Sequence, residues 1–169
     1  MHTLLLKPAL DDRNDKKKFI SSRIGLEAKA DLFTDQDDLE AHILESHAHR
    51  SIDCVLLDEA QFLTHDQVWQ LSRVTDDHGI PIMCYGLRTD FMGQLFTGSA
   101  ALLALADDIR EIRTLCWCGK KATMNMRVDG AGQAVTQGAQ IEVGGNERYI
   151  TLCRKHWRDK HINAAAAAK

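Results

Sequence analysis

Net positive charge is absent: 21 Lys and Arg stand against 24 Asp and Glu, a formal charge of -3. That removes any broad electrostatic pull toward nucleic acid or an anionic membrane. No basic stripe with interleaved aromatics stands in for it, which argues against a zinc ribbon for nucleic acid. Aromatic residues are few, at 6%. No apolar run approaches the roughly 20 residues of a membrane span. The opening MHTLLLKPALDDR has too short an apolar stretch for a signal peptide, and acids follow it at once. No internal repeat shows. These absences leave a soluble cytoplasmic protein with neither nucleic acid nor membrane as partner. At 169 residues and 44% hydrophobic, the chain can form one packed domain, or one with a small appendage.

What is present begins with five cysteines, an odd count. In a reducing compartment disulfides are rare, so clustered cysteines need another explanation. Cys54 and Cys84 lie inside the apolar runs IDCVLLD and IPIMCYGL and read as plain core. Cys116, Cys118, Cys153 and His156 form two short pairs, Cys-Trp-Cys and Cys-Arg-Lys-His, separated by a hairpin-sized segment. Zinc takes four N or S ligands in a tetrahedron, and two facing knuckles supply them. Four protein ligands leave no place for water, so such a site is structural. The one-residue gap in the first pair is tighter than the common spacing. The competing reading is two core cysteines, a surface cysteine and a surface histidine.

The order of elements predicts an α/β protein. Thr3 to Leu6 reads as a strand ending at Lys7-Pro8, and DDRNDKKK with FISSRIGL reads as a loop. A helix is expected from Asp35, with Leu39, Ile43 and Leu44 on one face. Ile52 to Leu57 is a continuous apolar run, as in a buried parallel strand. A second helix opens at His65-Asp66, carries Val68, Leu71 and Val74, and stops at Gly79. Ile80 to Leu87 reads as another buried strand. RTDFMGQLFTGS is a polar loop, and Ala100 to Ala106 is helical. Strands are expected at Arg110–Leu115, Ala122–Val128 and Ala139–Val143, the last two joined by the turn-rich DGAGQ. The organisation is an α/β layer over 1–109, a small β-rich appendage over 110–160, and a low-complexity tail over 161–169.

Beyond the cysteines, individual signals stay ambiguous. Asp58-Glu59 closes a buried strand, where α/β proteins bind nucleotides and where Asp holds Mg²⁺. Acids also simply follow strands that end at the surface. Phe91 and Phe96 lie in a loop beyond a strand, fit either to stack on a base or to pack beneath the loop. The Gly-Gly pair in IEVGGNERY admits close backbone approach to a ligand, or merely a turn. Ser21, Ser22 and Arg23 could meet a phosphate or be a solvated loop. His42, His47 and His49 read as surface residues.

Together, KPALDDR, ISSRIG, VLLDEAQFL, CYGLRTDF, CWCGKKA, GGNERY and CRKHW resemble the type II thymidine kinases, in the family's order, from about residue 3 to about residue 157. The resemblance implies a RecA-like nucleotide-binding core joined to a zinc-containing lasso domain. It implies ATP-dependent phosphorylation of thymidine or deoxyuridine to the 5′-monophosphate, with Mg²⁺ accompanying ATP, in a homotetramer. Glu59 matches the general base; Asp58, Glu59, Ala60 and Gln61 form the Mg²⁺ and nucleotide segment. Phe62, Leu87, Phe91 and Phe96 match the apolar lining of the thymine pocket. Ile141, Val143, Gly144, Gly145 and Tyr149 match the lasso loop, and Cys116, Cys118, Cys153 and His156 match the zinc ligands. The one-residue gap of the first pair occurs in bacterial members.

The family opens with a strand and a glycine-rich loop ending in Gly-Lys-Ser/Thr, which cradles the ATP phosphates. That segment does not occur in the chain, whose single Gly-Lys is Gly119-Lys120. On this reading Met1 corresponds to an internal position of a longer protein. The expected costs are unpaired strand edges, an uncovered apolar face and nearly no turnover. The alternative is a non-catalytic, zinc-stabilised fragment or interaction module.

Overall fold

A computed structural model describes residues 1–9, 19–22, 24–140 and 149–162. They fall into two compact units. The first holds Met1–Arg88 and Phe96–Asp107; the second holds Thr89–Leu95 and the described residues from Asp108 onward.

The first unit is an α/β layer. Its sheet has the order β4-β1-β5-β6, with β1 at Thr3–Pro8, β4 at Asp31–Phe33, β5 at Cys54–Leu57 and β6 at Ile82–Cys84. Every pairing is parallel. Leu6 lies opposite Leu57, which lies opposite Cys84. Leu6, Val55 and Leu57 are fully buried and pack with Ile43, Leu71 and Val74 of the helices α1 (Leu39–His49) and α2 (His65–His78). α3 covers Thr97–Leu105, and a 3-10 turn covers Ala60–Phe62. Among the described residues, no helix is long and apolar enough to cross a membrane.

Local chemistry sets the boundaries. α2 begins with a capping box, Thr64 and Gln67 each bonding the other's backbone N–H. It ends at Gly79, whose φ of 66° is left-handed. α1 starts at Leu39, later than the expected Asp35, because the Asp37 carboxylate folds back on Thr34 N (2.6 Å) and Asp38 is the N-cap. FISSRIGL is not a plain loop: β2 (Phe19–Ser21) pairs antiparallel with β3 (Glu27–Lys29), closed by Ser22 N donating to Leu26 O. β5 and β6 are shorter than the apolar runs that announced them. α3 starts earlier than expected, at Thr97. The outer edge of β6 has no partner among the described strands, and Met83, Tyr85 and Leu87 are exposed.

In the second unit β9 (Met124–Val128) lies between β10 (Ala134–Val135) and β11 (Tyr149–Leu152), both antiparallel to it. β7 (Thr114–Leu115) pairs with β8 (Lys121–Ala122), and α4 covers Arg154–Arg158. Ala122, Met126, Val128 and Leu152 form the core, with Trp157 packed against it. The strand expected over Arg110–Leu115 reduces to its last two residues, since no described strand lies beside 110–113, where Ile112 is 77% exposed. The one expected over Ala122–Val128 is broken at Thr123, whose N–H donates to Leu152 O. Ala139 and Gln140 belong to no strand, and 141–143 lie outside the described residues.

Candidate functional site

The cysteine and histidine pairs meet. Cys116 and Cys118 sit in the turn between β7 and β8, closed by Gly119 N to Cys116 O (2.8 Å) and Cys116 N to Lys120 O (2.8 Å). Cys153 is the N-cap of α4, which carries His156. Cys116 Sγ lies 3.4 Å from His156 Nδ1, Cys118 Sγ lies 4.0 Å from Cys153 Sγ, and all four ligand atoms lie within 4.8 Å of one another. Zinc bonds of about 2.3 Å to sulfur and about 2.0 Å to nitrogen put tetrahedral ligand atoms about 3.5–3.8 Å apart. The observed spacings bracket that range, so the donor set fits zinc in both chemistry and size.

The electrostatics point the same way. Burial opposes ionisation of Cys116, but the backbone N–H groups of Cys118 and Cys153 and the side chains of His156 and Cys118 outweigh it. The Cys116 thiol is brought down to about 6. At Cys118 the Lys120 N–H favours the thiolate; burial and the sulfurs of Cys116 and Cys153 prevail and push the thiol up. These contacts favour a thiolate at Cys116, the ionised form in which cysteine ligates metal.

The acid pair lies at the carboxyl end of β5. Its backbone is held from both sides: Asp58 N donates to Leu6 O of β1 (2.9 Å), and Ala60 N donates to Tyr85 O beyond β6 (2.8 Å). Between them Glu59 adopts φ 53°, ψ 40°, a left-handed conformation unusual for a residue with a side chain. Glu59 N donates to Asp58 Oδ1 at 3.0 Å. The buried Gln61 donates from Nε2 to Glu59 Oε2 and accepts at Oε1 from Leu87 N at 3.0 Å. An acid side chain is thus presented on a strained backbone at the strand end where α/β sheets bind ligands.

Two glycines missed by sequence reasoning make this geometry possible. A Cβ on Gly86 would lie 2.6 Å from Gln61 Oε1, and one on Gly98 would lie 2.7 Å from both Ala60 O and Leu63 O. Their signal is steric and emerges only once the chain is folded.

The aromatic and aliphatic candidates divide between the units. In the first, Phe62 and Phe96 meet edge to face with centroids 5.9 Å apart, and Leu87 O accepts from Ser99 Oγ at 2.6 Å. In the second, the buried Phe91 lies beneath Arg127, whose Cζ is 3.9 Å from the ring centroid. Trp157 Nε1 donates to Phe91 O, and Tyr149 pairs with Arg127 across β11 and β9. Ile141, Val143, Gly144 and Gly145 lie outside the described residues. His42 Nε2 lies 3.3 Å from Asp31 Oδ2 without hydrogen-bond geometry, and His47 Nδ1 accepts from Ile52 N at 3.0 Å.

Fold and site define an α/β protein with an acid pair at the carboxyl end of its parallel sheet and a Cys₃His cluster suited to zinc. The thymidine kinase family matches residues 1–157. The chain is 60% identical over 159 residues to a thymidine kinase of Jannaschia sp. (strain CCS1), covering 94% of this chain and 81% of that one. It is 55% identical to that of Ruegeria pomeroyi, covering 94% and 80% of the two chains, and 55% identical to that of Rhizobium meliloti, covering 95% and 83%. The chain belongs to the thymidine kinase family.

Proposed function

We propose that the protein transfers the γ-phosphoryl group of ATP to the 5′-hydroxyl of thymidine or deoxyuridine. The observation that carries this reading is Glu59, held in a left-handed conformation at the end of β5 and hydrogen-bonded by a buried Gln61, in a chain of this family. Glu59 accepts the proton of the 5′-hydroxyl as its oxygen bonds to the γ-phosphorus. The bond from that phosphorus to the bridging oxygen breaks, and ADP leaves. Asp58 would hold the Mg²⁺ that accompanies ATP, and that ion neutralises charge on the phosphates. Ala60 and Gln61 line the nucleotide side. The family resemblance assigns Phe62, Leu87, Phe91, Phe96, Ile141, Val143, Gly144, Gly145 and Tyr149 to the nucleoside.

Zinc would be held by Cys116, Cys118, Cys153 and His156, leaving no open position, so it stabilises the unit and takes no part in the reaction. A RecA-like class for the parallel sheet, a cytoplasmic location and a homotetrameric assembly complete the proposal.

The test is formation of thymidine 5′-monophosphate from thymidine and Mg²⁺-ATP by the purified chain. Turnover that falls about 10²–10⁴-fold in Glu59→Gln is the expected result. No product from a folded, zinc-loaded chain would remove the proposal, and full activity in Glu59→Gln would remove the role of Glu59.

A further inference from the structure

We propose that Trp117, the residue between the first two cysteines, is the positioning residue for the metal-ligating ring of His156. The indole and imidazole are stacked, with centroids 4.2 Å apart and planes 6° from parallel. The indole is fixed in turn: Trp117 Nε1 donates to His161 O at 3.3 Å, and His161 N donates to His156 O at 2.9 Å. The His161 ring stands edge-on to both, 5.1 Å from Trp117 and 5.3 Å from His156. Three rings therefore form one closed group.

The arrangement answers a requirement of the site. A histidine that ligates metal must hold one ring orientation, and its second nitrogen usually bonds a carboxylate or carbonyl for that purpose. His156 offers Nδ1 to the cluster. Among the described residues none hydrogen-bonds its Nε2. The face of Trp117 restricts rotation of the ring instead. The Cys-Trp-Cys gap is what makes this possible, because the backbone of Trp117 is tied to a ligand on either side. It also accounts for a large aromatic ring that stays 38% exposed.

Without the indole the imidazole samples several orientations, and binding the metal must then order it. Loss of an outer partner of a metal ligand typically weakens affinity 10–100-fold. The inference rests on the zinc reading of the cluster, and its test reads zinc rather than turnover. Zinc affinity and dissociation rate of the full chain are measured by competition with a chromophoric chelator. Trp117→Phe keeps a flat ring; Trp117→Leu keeps apolar bulk without one. Leu is expected to weaken zinc binding about tenfold, and Phe to stay within about threefold of the parent. The visible spectrum of the cobalt-loaded Leu variant should still show three sulfurs and one nitrogen at saturation. Parent-like zinc affinity in Trp117→Leu overturns the inference, as does a loss in Phe equal to that in Leu. If Leu fails to fold by circular dichroism, Trp117→Met replaces it under the same criteria. A parent chain that binds no zinc sinks the metal site itself, a result distinct from either.

Discussion

The side-chain amide of Gln61 links Glu59 to Leu87: it donates to the Glu59 carboxylate and accepts from the Leu87 backbone N–H. A residue two positions along thus fixes the acid that a left-handed backbone presents. Gln61→Met keeps the length of the side chain and removes both bonds. A net hydrogen bond is worth about 1 kcal/mol, and the Leu87 N–H left without Gln61 is only part-buried. Turnover is expected to fall roughly fivefold to tenfold with little change in the KM for thymidine, and the urea midpoint should drop. Steady-state kinetics and urea titration check both.

Gly98→Ala addresses the same turn from outside. The added Cβ would press on the carbonyls of Ala60, Gln61 and Leu63 at 2.7, 2.9 and 2.7 Å. These are backbone atoms, so the turn itself must shift. Overpacking of this kind costs about 1–3 kcal/mol. A lower melting temperature is expected, with turnover reduced beyond what residual folded protein explains.

Removing the metal should expose thiols in a defined number. With zinc bound, Cys116, Cys118 and Cys153 are protected. After chelation at pH 8 these three should react rapidly with a disulfide reagent, the low-titrating Cys116 among them. Metal analysis should give about one zinc ion per chain, and Cys153→Ser should lower that content severely. Unchanged zinc content in Cys153→Ser is the contrary outcome.

Cys84 gives a dependence on alkaline pH. Burial pushes its thiol up to about 12 from an ordinary 9.0. Between those values the unfolded chain has lost the proton and the folded chain retains it. The stabilisation is therefore complete below about pH 9 and disappears as pH rises toward 12, by at most about 1.4 kcal/mol per pH unit. The melting temperature of Cys84→Ala should decline less steeply than that of the parent above pH 9.

The parts of the fold legible in the sequence are those in which local and long-range demands agree. Thr64, Gln67 and Gly79 mark α2 at both ends, and its buried face repeats at Val68, Leu71 and Val74. The run from Ile52 to Leu57 is apolar throughout because β5 lies between β1 and β6. The hairpin of β2 and β3 carried no such signal. Its strands are three residues each and mostly exposed, so no alternation develops. Ile112 illustrates the opposite case: residues 110–113 alternate like a strand, but a strand needs a neighbour and none is described there.

The site divides in the same manner. Cys116, Cys118, Cys153 and His156 could be grouped from spacing, since metal ligands come in short pairs. The Asp58-Glu59 pair could be placed at a strand end. The link through Gln61 could not be read, because it depends on the φ of Glu59 and on Leu87, 26 positions from Gln61. Gly86, read within the strand Ile80 to Leu87, and Gly98, read within a polar loop, showed no role until the backbone they touch was in place.

The seven residues from Thr89 to Leu95 are grouped with the second unit although chain on either side of them belongs to the first. Phe91 lies beneath Arg127, and Gly93 approaches the Trp157 ring to the point where a Cβ would be 3.0 Å away. No single cut can therefore release either unit whole. A piece ending at Asp107 would carry away the Phe91 that Arg127 covers, and a piece starting at Asp108 would leave the Trp157 indole with one of its two carbonyl acceptors, Asn125 O, and without Phe91 O. Dissection would need a seven-residue transplant, or a permuted chain, to leave both halves entire.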